Sequence, residues 1–158
     1  GEGYATDKCR AMKIQKGITA GINNGSGDKS TRGKQPNGND WKIGITNPFK
    51  PEKILAAIPL KDGAITTSGS YEKFVTFNGK RYSHIIDPRT GYPATGIVSV
   101  SVFAKTTELA DALATGIFVL GIEVGLDLVN QIKGIECIIV DEKGVVHSSK
   151  NIDLKKYE

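Results

Sequence analysis

Short alternations of apolar and polar residues dominate the chain, separated at close intervals by turn residues. Ile18, Ala20 and Ile22 alternate with other residue types, as do Trp41, Ile43 and Ile45, and then Ile54, Ala56, Ile58 and Leu60. A period of two puts one face of a strand against a core. Ala64–Ser68 and Ile97–Phe103 read as further strands, the latter with Val98, Val100 and Val102 on one face. Ile135–Val140 and Val145–Ser148 flank Asp141-Glu142-Lys143-Gly144 and close the chain as a strand pair. Asn78-Gly79 joins Phe74–Phe77 to Arg81–Ile86 with the two residues that a tight hairpin prefers. Asn23–Lys34, rich in Gly, Asn and Ser, is predicted to be a loop.

The period changes in three places. Tyr4 to about Lys16 reads as a helix with Ala5, Cys9 and Met12 on one face and Gly17 as its stop. The longest helical stretch starts at Thr106 or Thr107, carries Glu108 in its first turn and ends at Gly121. Its predicted apolar stripe is Leu109, Leu113, Ile117 and Leu120. A last helix covers about Val124–Ile132 and stops at Gly134. Strands outnumber helices and hairpins join several of them. The expected fold class is α+β, with a mainly antiparallel sheet and helices packed on it.

With 158 residues, the chain suits one domain. A net charge of +4 favours an anionic ligand, and no basic run is interleaved with aromatics, so nucleic acid is not expected as a partner. Arg32, Lys34, Lys155 and Lys156 read as solvated surface. Cys9 and Cys137 lack metal-ligand spacing and read as buried free thiols. No apolar run is long enough to span a membrane. The chain opens on Gly-Glu-Gly-Tyr without Met, which suggests a partial or processed chain.

The candidate chemistry centres on Ser83–Pro93. There a histidine ends an apolar run, and Pro88, Gly91 and Pro93 break the chain into a turn. His84, Asp87 and Arg89 would then stand at the rim of a sheet, or form an ordinary surface turn with a satisfied histidine. Asp111 and Thr115, four apart on the long helix, project from one face. A carboxylate and a hydroxyl one turn apart are hard oxygen ligands suited to Mg²⁺. Alternatively, Asp111 only favours the helix N-terminal half and Thr115 bonds back to its own helix. Thr66-Thr67-Ser68-Gly69-Ser70-Tyr71 either cradles a phosphate or ribose or is a turn before a strand. The Gly25–Gly27 loop with Asp28 fits no phosphate-binding fingerprint. His147, with no partner in view, reads as surface.

Taken in order, Gly3-Tyr4-Ala5-Thr6-Asp7, Thr67-Ser68-Gly69 with Tyr71, Ser83-His84-Ile85-Ile86-Asp87-Pro88-Arg89-Thr90-Gly91 and Ala110-Asp111-Ala112-Leu113-Ala114-Thr115 closely resemble the ApbE family of flavin transferases. The resemblance implies a T-fold-related α+β fold and Mg²⁺-dependent transfer of FMN from FAD to a threonine of an acceptor redox protein, releasing AMP. It implies Asp111 and Thr115 as Mg²⁺ ligands, and His84 and Ile85 at the flavin site. Ser68 and Gly69 fall in its cofactor-binding segment, and Glu2, Gly3 and Tyr4 in one wall of the site. Glu2 stands where many members have a lysine facing FAD. His84 is either the general base for the acceptor hydroxyl or only a flavin contact. Arg89 is expected to brace Asp87 in preference to meeting phosphate.

The same likeness implies that these residues are the C-terminal portion of a longer protein, whose N-terminal half carries further FAD contacts and a main-chain ligand to the metal. It also implies a bacterial cell-envelope or periplasmic location, with a lipid anchor at that N-terminus on the inner membrane. Rival readings are an FAD pyrophosphatase with water as acceptor, a flavin-binding module without turnover, and a piece that needs a partner chain to complete its sheet.

Overall fold

A computed structural model describes residues 1–71 and 74–154; Lys155 and Lys156 lie outside the described residues. Among these are three helices, α1 (Glu2–Gln15), α2 (Thr107–Leu120) and α3 (Ile122–Gln131). The strands are β1 (Gly21–Gly25), β2 (Asp28–Arg32), β3 (Trp41–Asn47), β4 (Lys50–Leu60) and β5 (Ala64–Gly69). They continue with β6 (Phe74–Phe77), β7 (Lys80–Ser83), β8 (Ile97–Ala104), β9 (Glu136–Asp141) and β10 (Val146–Ser148).

A six-stranded sheet in the order β1-β2-β5-β8-β9-β10 organises the chain, and its neighbours all pair antiparallel. One face carries α2 and α3, with Val100, Val102, Cys137 and Ile139 of the sheet packed against Ala110, Ala114, Ile117, Phe118 and Val129. The other face carries the β3–β4 ribbon, where Ile43, Ile45, Ala56 and Ile58 meet Ile65, Phe103 and Ile138. The fold is therefore α+β, with the central sheet buried on both sides. That explains why β8 is buried along nearly its whole length, Ser99 and Ser101 included. No helix among the described residues is long and apolar enough to cross a membrane.

Asn78 and Gly79 adopt φ of 50° and 74°, the left-handed pair that a type I′ turn needs, and β6–β7 pairs in register around them. The strand after that turn ends at Ser83, short of Ile86. Ile86 makes only an isolated bridge to Pro93. Asp87 N–H donates to Tyr92 O and Gly91 N–H to Asp87 O, so the segment curls back on itself before Pro88 can end a longer strand.

Several expectations change with the tertiary packing. The loop expected over residues 23–34 is confined to its end: residues 23–25 and Asp28–Arg32 lie in the β1–β2 hairpin, whose turn is Ser26-Gly27, and only Gly33 and Lys34 fall outside it. The strand expected over Ile18–Ile22 begins only at Gly21. Ala5, Cys9 and Met12 form the exposed side of α1; Gly3 and Thr6 are its buried residues. Cys9 is thus an exposed thiol, whereas Cys137 is buried and its thiol is pushed up to about 12, chiefly by burial. On α2, Leu109 and Leu120 are exposed and Leu113 half-buried. The buried stripe is Thr107, Ala110, Ala114, Ile117 and Phe118. Small residues on that face let the helix lie close on the sheet, and the leucines flank the contact. His147 has a partner, its Nε2 lying 3.1 Å from Asp141 Oδ2.

Candidate functional site

The site begins where α1 meets α2. Gly3 packs so tightly that a Cβ there would lie 2.7 Å from Thr107 O and 2.9 Å from both Glu108 Cα and Asp111 Cβ. Only glycine allows that approach. Its N–H then reaches the Asp111 carboxylate, donating to Oδ2 at 3.2 Å. One turn further on, Asp7 caps α2 from outside. Its Oδ1 accepts from Thr107 N–H at 3.0 Å and from the Thr107 hydroxyl at 2.7 Å, and its Oδ2 accepts from Glu108 N–H at 2.9 Å. A carboxylate on the unpaired N–H groups of a helix N-terminus is favoured by charge and by geometry alike. Thr106 adds a weaker side-chain cap to Leu109 N–H at 3.4 Å. The Gly-Tyr-Ala-Thr-Asp segment thus locks the first half of α2, and with it Asp111, in place.

On the facing wall, β5 brings Ser68 up to the helix, with its Oγ 3.2 Å from Thr115 Oγ1. His84 is held by its neighbours. Ser83 and Ile85 on either side are buried, Ser83 Oγ accepts from Ile85 N–H at 3.0 Å, and Ile85 O accepts from Ala94 N–H at 2.9 Å. Alternation along an extended segment then turns the imidazole outward, and His84 is exposed. Below it, Arg89 grips Asp87 through Nε at 2.9 Å and Nη2 at 2.8 Å and also donates to Val119 O at 2.9 Å. This fork ties the turn to the last turn of α2. It holds the Asp87 carboxyl below the usual range, first through the side-chain hydrogen bond.

These walls enclose a cleft of about 410 Å³. Of the residues singled out in the sequence, Glu2, Ser68, Gly69, His84, Ile85, Asp111 and Thr115 line it. Gly3 stands behind it, through its bond to Asp111. Tyr4 does not line it: the ring is half exposed, with Lys8 Nζ 5.2 Å from its centroid.

Asp28 lines the same cleft at only 5% exposure, at the tip of the hairpin that the sequence pattern hid. Burial pushes its carboxyl up to about 6. The nearby Thr66 hydroxyl opposes the rise, and the charges of Asp111 and Glu2 add to it. Thr66 Oγ1 is itself buried without a hydrogen bond of ordinary geometry. A signal for Asp28 existed in the sequence: Gly25-Ser26-Gly27 can turn a hairpin, and an acid directly after it is carried to the hairpin tip.

Asp28 leads to a pH prediction. Between about pH 4 and pH 6 the folded protein keeps a proton that the unfolded chain has released, because the carboxyl titrates near 6 instead of 3.8. Stability conferred by the neutral form is therefore lost as pH rises through that window. In metal-free buffer, Asp28→Asn should be more stable than the parent by up to about 3 kcal/mol above pH 7, with no such gain at pH 4. Denaturant unfolding at the two pH values checks it; an identical difference at both would mean the carboxyl is not desolvated.

The donor set is made of hard oxygens: Asp111, Thr115, Ser68, Thr66 and Asp28. Among the described residues, no three His, Cys, Asp or Glu side chains come together as a metal cluster. Such a site suits a cation that keeps water and borrows phosphate oxygens, as Mg²⁺ does, and not one that needs a closed protein cage.

Residues 1–139 match the sequence profile of the ApbE family. The FAD:protein FMN transferase of Escherichia coli K12 is 36% identical over 146 residues, covering 91% of this chain and 41% of that protein. The protein of the same name from Treponema pallidum is 40% identical over 115 residues, or 72% of this chain and 32% of its own length. Among solved structures, the ApbE protein of Thermotoga maritima superimposes with a TM-score of 0.86 at 35% identity, over 94% of this chain and 48% of that one. The apo flavinyl transferase ApbE of Pseudomonas stutzeri gives 0.81 at 32% identity, over 95% and 48%. This chain spans less than half the length of each of these relatives. Family profile, sequence and fold agree over nearly all of it, and the chain belongs to the ApbE family.

Proposed function

We propose that this chain supplies the chemical half of an FAD:protein FMN transferase, moving FMN from FAD to a threonine hydroxyl of an acceptor protein and releasing AMP. The observation that carries the reading is the cleft that Asp111, Thr115 and Ser68 share with the exposed His84. Relatives named FAD:protein FMN transferase support the transfer of FMN from FAD to a protein.

Asp111 and Thr115 would hold Mg²⁺, with Ser68 against Thr115 fixing the direction of its hydroxyl. When bound there, Mg²⁺ offsets the charge that builds on the phosphoryl oxygens during transfer. The chain's own residues do the rest. Gly3 and Asp7 keep Asp111 from shifting with α2. Ser68 and Gly69, at the end of β5, form the floor on which the pyrophosphate lies. In the step itself the threonine Oγ forms a bond to the FMN phosphorus, the bond from that phosphorus to the AMP oxygen breaks, and the threonine proton passes to His84. An imidazole at a solvent-facing rim can take that proton and return it to water.

The test is mass spectrometry of an acceptor protein incubated with enzyme, FAD and Mg²⁺. The expected product is acceptor carrying FMN on threonine, with one AMP per modification. Free FMN and AMP with unmodified acceptor would mean that water is the acceptor. FAD bound but uncleaved would reduce the site to a flavin-binding module.

A further inference from the structure

Five buried side-chain polar atoms lack a hydrogen bond among the described residues, and three of them belong to residues of α1 and β2, away from the chemistry just described. They are Nε of Arg10, Nε of Arg32 and Oγ of Ser30. All three residues line one cavity of about 190 Å³ between α1 and the β1–β2 hairpin. Ser30 is 2% exposed, so its hydroxyl is shielded from bulk water. Arg10 and Arg32 also line an adjoining cleft of about 380 Å³ that includes Lys105. Neither guanidinium has a carboxylate within ion-pair distance among the described residues, and Arg10 Nη2 makes only a long bond of 3.4 Å to Thr31 O. Asp62, on the wall of that cleft, accepts from Gly33 N–H at 2.9 Å. Lys13, also at the cavity, donates to Asn23 Oδ1.

The two guanidinium nitrogens can only donate and the Ser30 hydroxyl can also donate, so an acceptor would satisfy all three. Two guanidinium groups without a carboxylate, beside a buried hydroxyl, select an oxyanion, which can take several charge-assisted hydrogen bonds at once. The rest of the cavity is largely apolar. Ile14, Ile18, Ala20 and Ile22 line it, and Ile18 and Ile22 are 46% and 41% exposed. A cavity of ~150 Å³ is enough for a benzene ring. About 190 Å³ therefore admits one ring or a chain of similar volume.

We propose that the pocket between α1 and the β1–β2 hairpin binds a small oxyanion, phosphate or carboxylate, carried on a single aromatic ring or an equally short apolar body. The head sits at the junction of the two cavities, between Arg10, Arg32 and Ser30, and the body lies on Ile14, Ile18 and Ile22. This site is separate from the transfer cleft and shares no lining residue with it.

Phenyl phosphate is the probe, measured by calorimetry against inorganic phosphate, which lacks the ring, and benzyl alcohol, which lacks the charge. The expected result is affinity about tenfold or more above both controls, lost in the Arg10→Gln/Arg32→Gln double variant and kept in Asp111→Ala. Methyl NMR of the unaltered protein gives a readout that does not depend on the variants folding: Ile14, Ile18 and Ile22 should shift on titration. Equal affinity for inorganic phosphate, no saturable binding, or loss in Asp111→Ala with retention in the double variant would each overturn the proposal. So would methyl shifts confined to Ile85 and Ile86 at the transfer cleft.

Discussion

Replacing Asp111 by alanine should lower Mg²⁺-dependent release of AMP from FAD by about 10²–10³-fold, the usual cost of removing one group that stabilises charge in a transition state. The carboxylate has two roles in this structure, and they separate experimentally. As an acceptor for the Gly3 N–H at 3.2 Å, it ties α1 to α2. As a hard oxygen next to Thr115, it would anchor the cation. Asp111→Asn keeps an oxygen for Gly3 but drops the charge, so it should retain the melting temperature and lose the Mg²⁺ dependence. Thr115→Val removes only a hydroxyl of similar shape and should raise the Mg²⁺ concentration needed for half-maximal rate. AMP release unchanged in Asp111→Ala would refute the cation assignment and leave the fold untouched.

The largest effect on stability is expected at Phe118. It is 1% exposed, on the face of α2 that packs against the sheet with Ala110, Ala114 and Ile117. Truncating a fully buried phenyl ring costs about 3–5 kcal/mol, through lost transfer energy and the cavity left behind. For a domain of this size that corresponds to a fall in melting temperature of about 6–20 °C. Leu120→Ala on the same helix should cost within about 1 kcal/mol, since that side chain is 37% exposed. The pair decides between two faces of one helix. Were Leu120→Ala the costlier change, the helix would be rotated from the orientation described, and Asp111 and Thr115 would turn away from the cleft with it.

Much of the fold could be read where the chemistry of a segment was local. Asn78-Gly79 sets its turn through two left-handed residues, whatever lies around them. The β3–β4 ribbon announces itself by alternation because one face is buried and the other is wet. The β1–β2 hairpin did not, because its buried residues are Asn23, Asp28, Ser30 and Thr31. Hydropathy assigns such residues to the surface. Two of them are stable inside because partners distant in sequence satisfy them, as when Asn23 donates to Thr6 O at 2.8 Å and Thr31 to Leu60 O at 2.8 Å. The helix faces failed for a related reason. A stripe of leucines looks like a core face, but Ala110 and Ala114 win the contact on α2 because close approach to the sheet needs small side chains.

The candidate site divides the same way. Asp111 and Thr115 share a helix face by spacing alone, and the order of motifs around them points to the ApbE family before any fold is known. That Ser68 stands 3.2 Å from Thr115, that His84 lines the same cleft, and that Asp28 is buried beside them depended on how β2, β5 and α2 are brought together. Residue order was enough to set most of the elements and the side chains each one carries, because dihedral preference, capping and period act over a few residues. Which faces are buried and which charges become neighbours was left to the packing of those elements in space. That packing depends on contacts between residues as much as 108 positions apart, as in the bond from Gly3 to Asp111, and no local rule contains them.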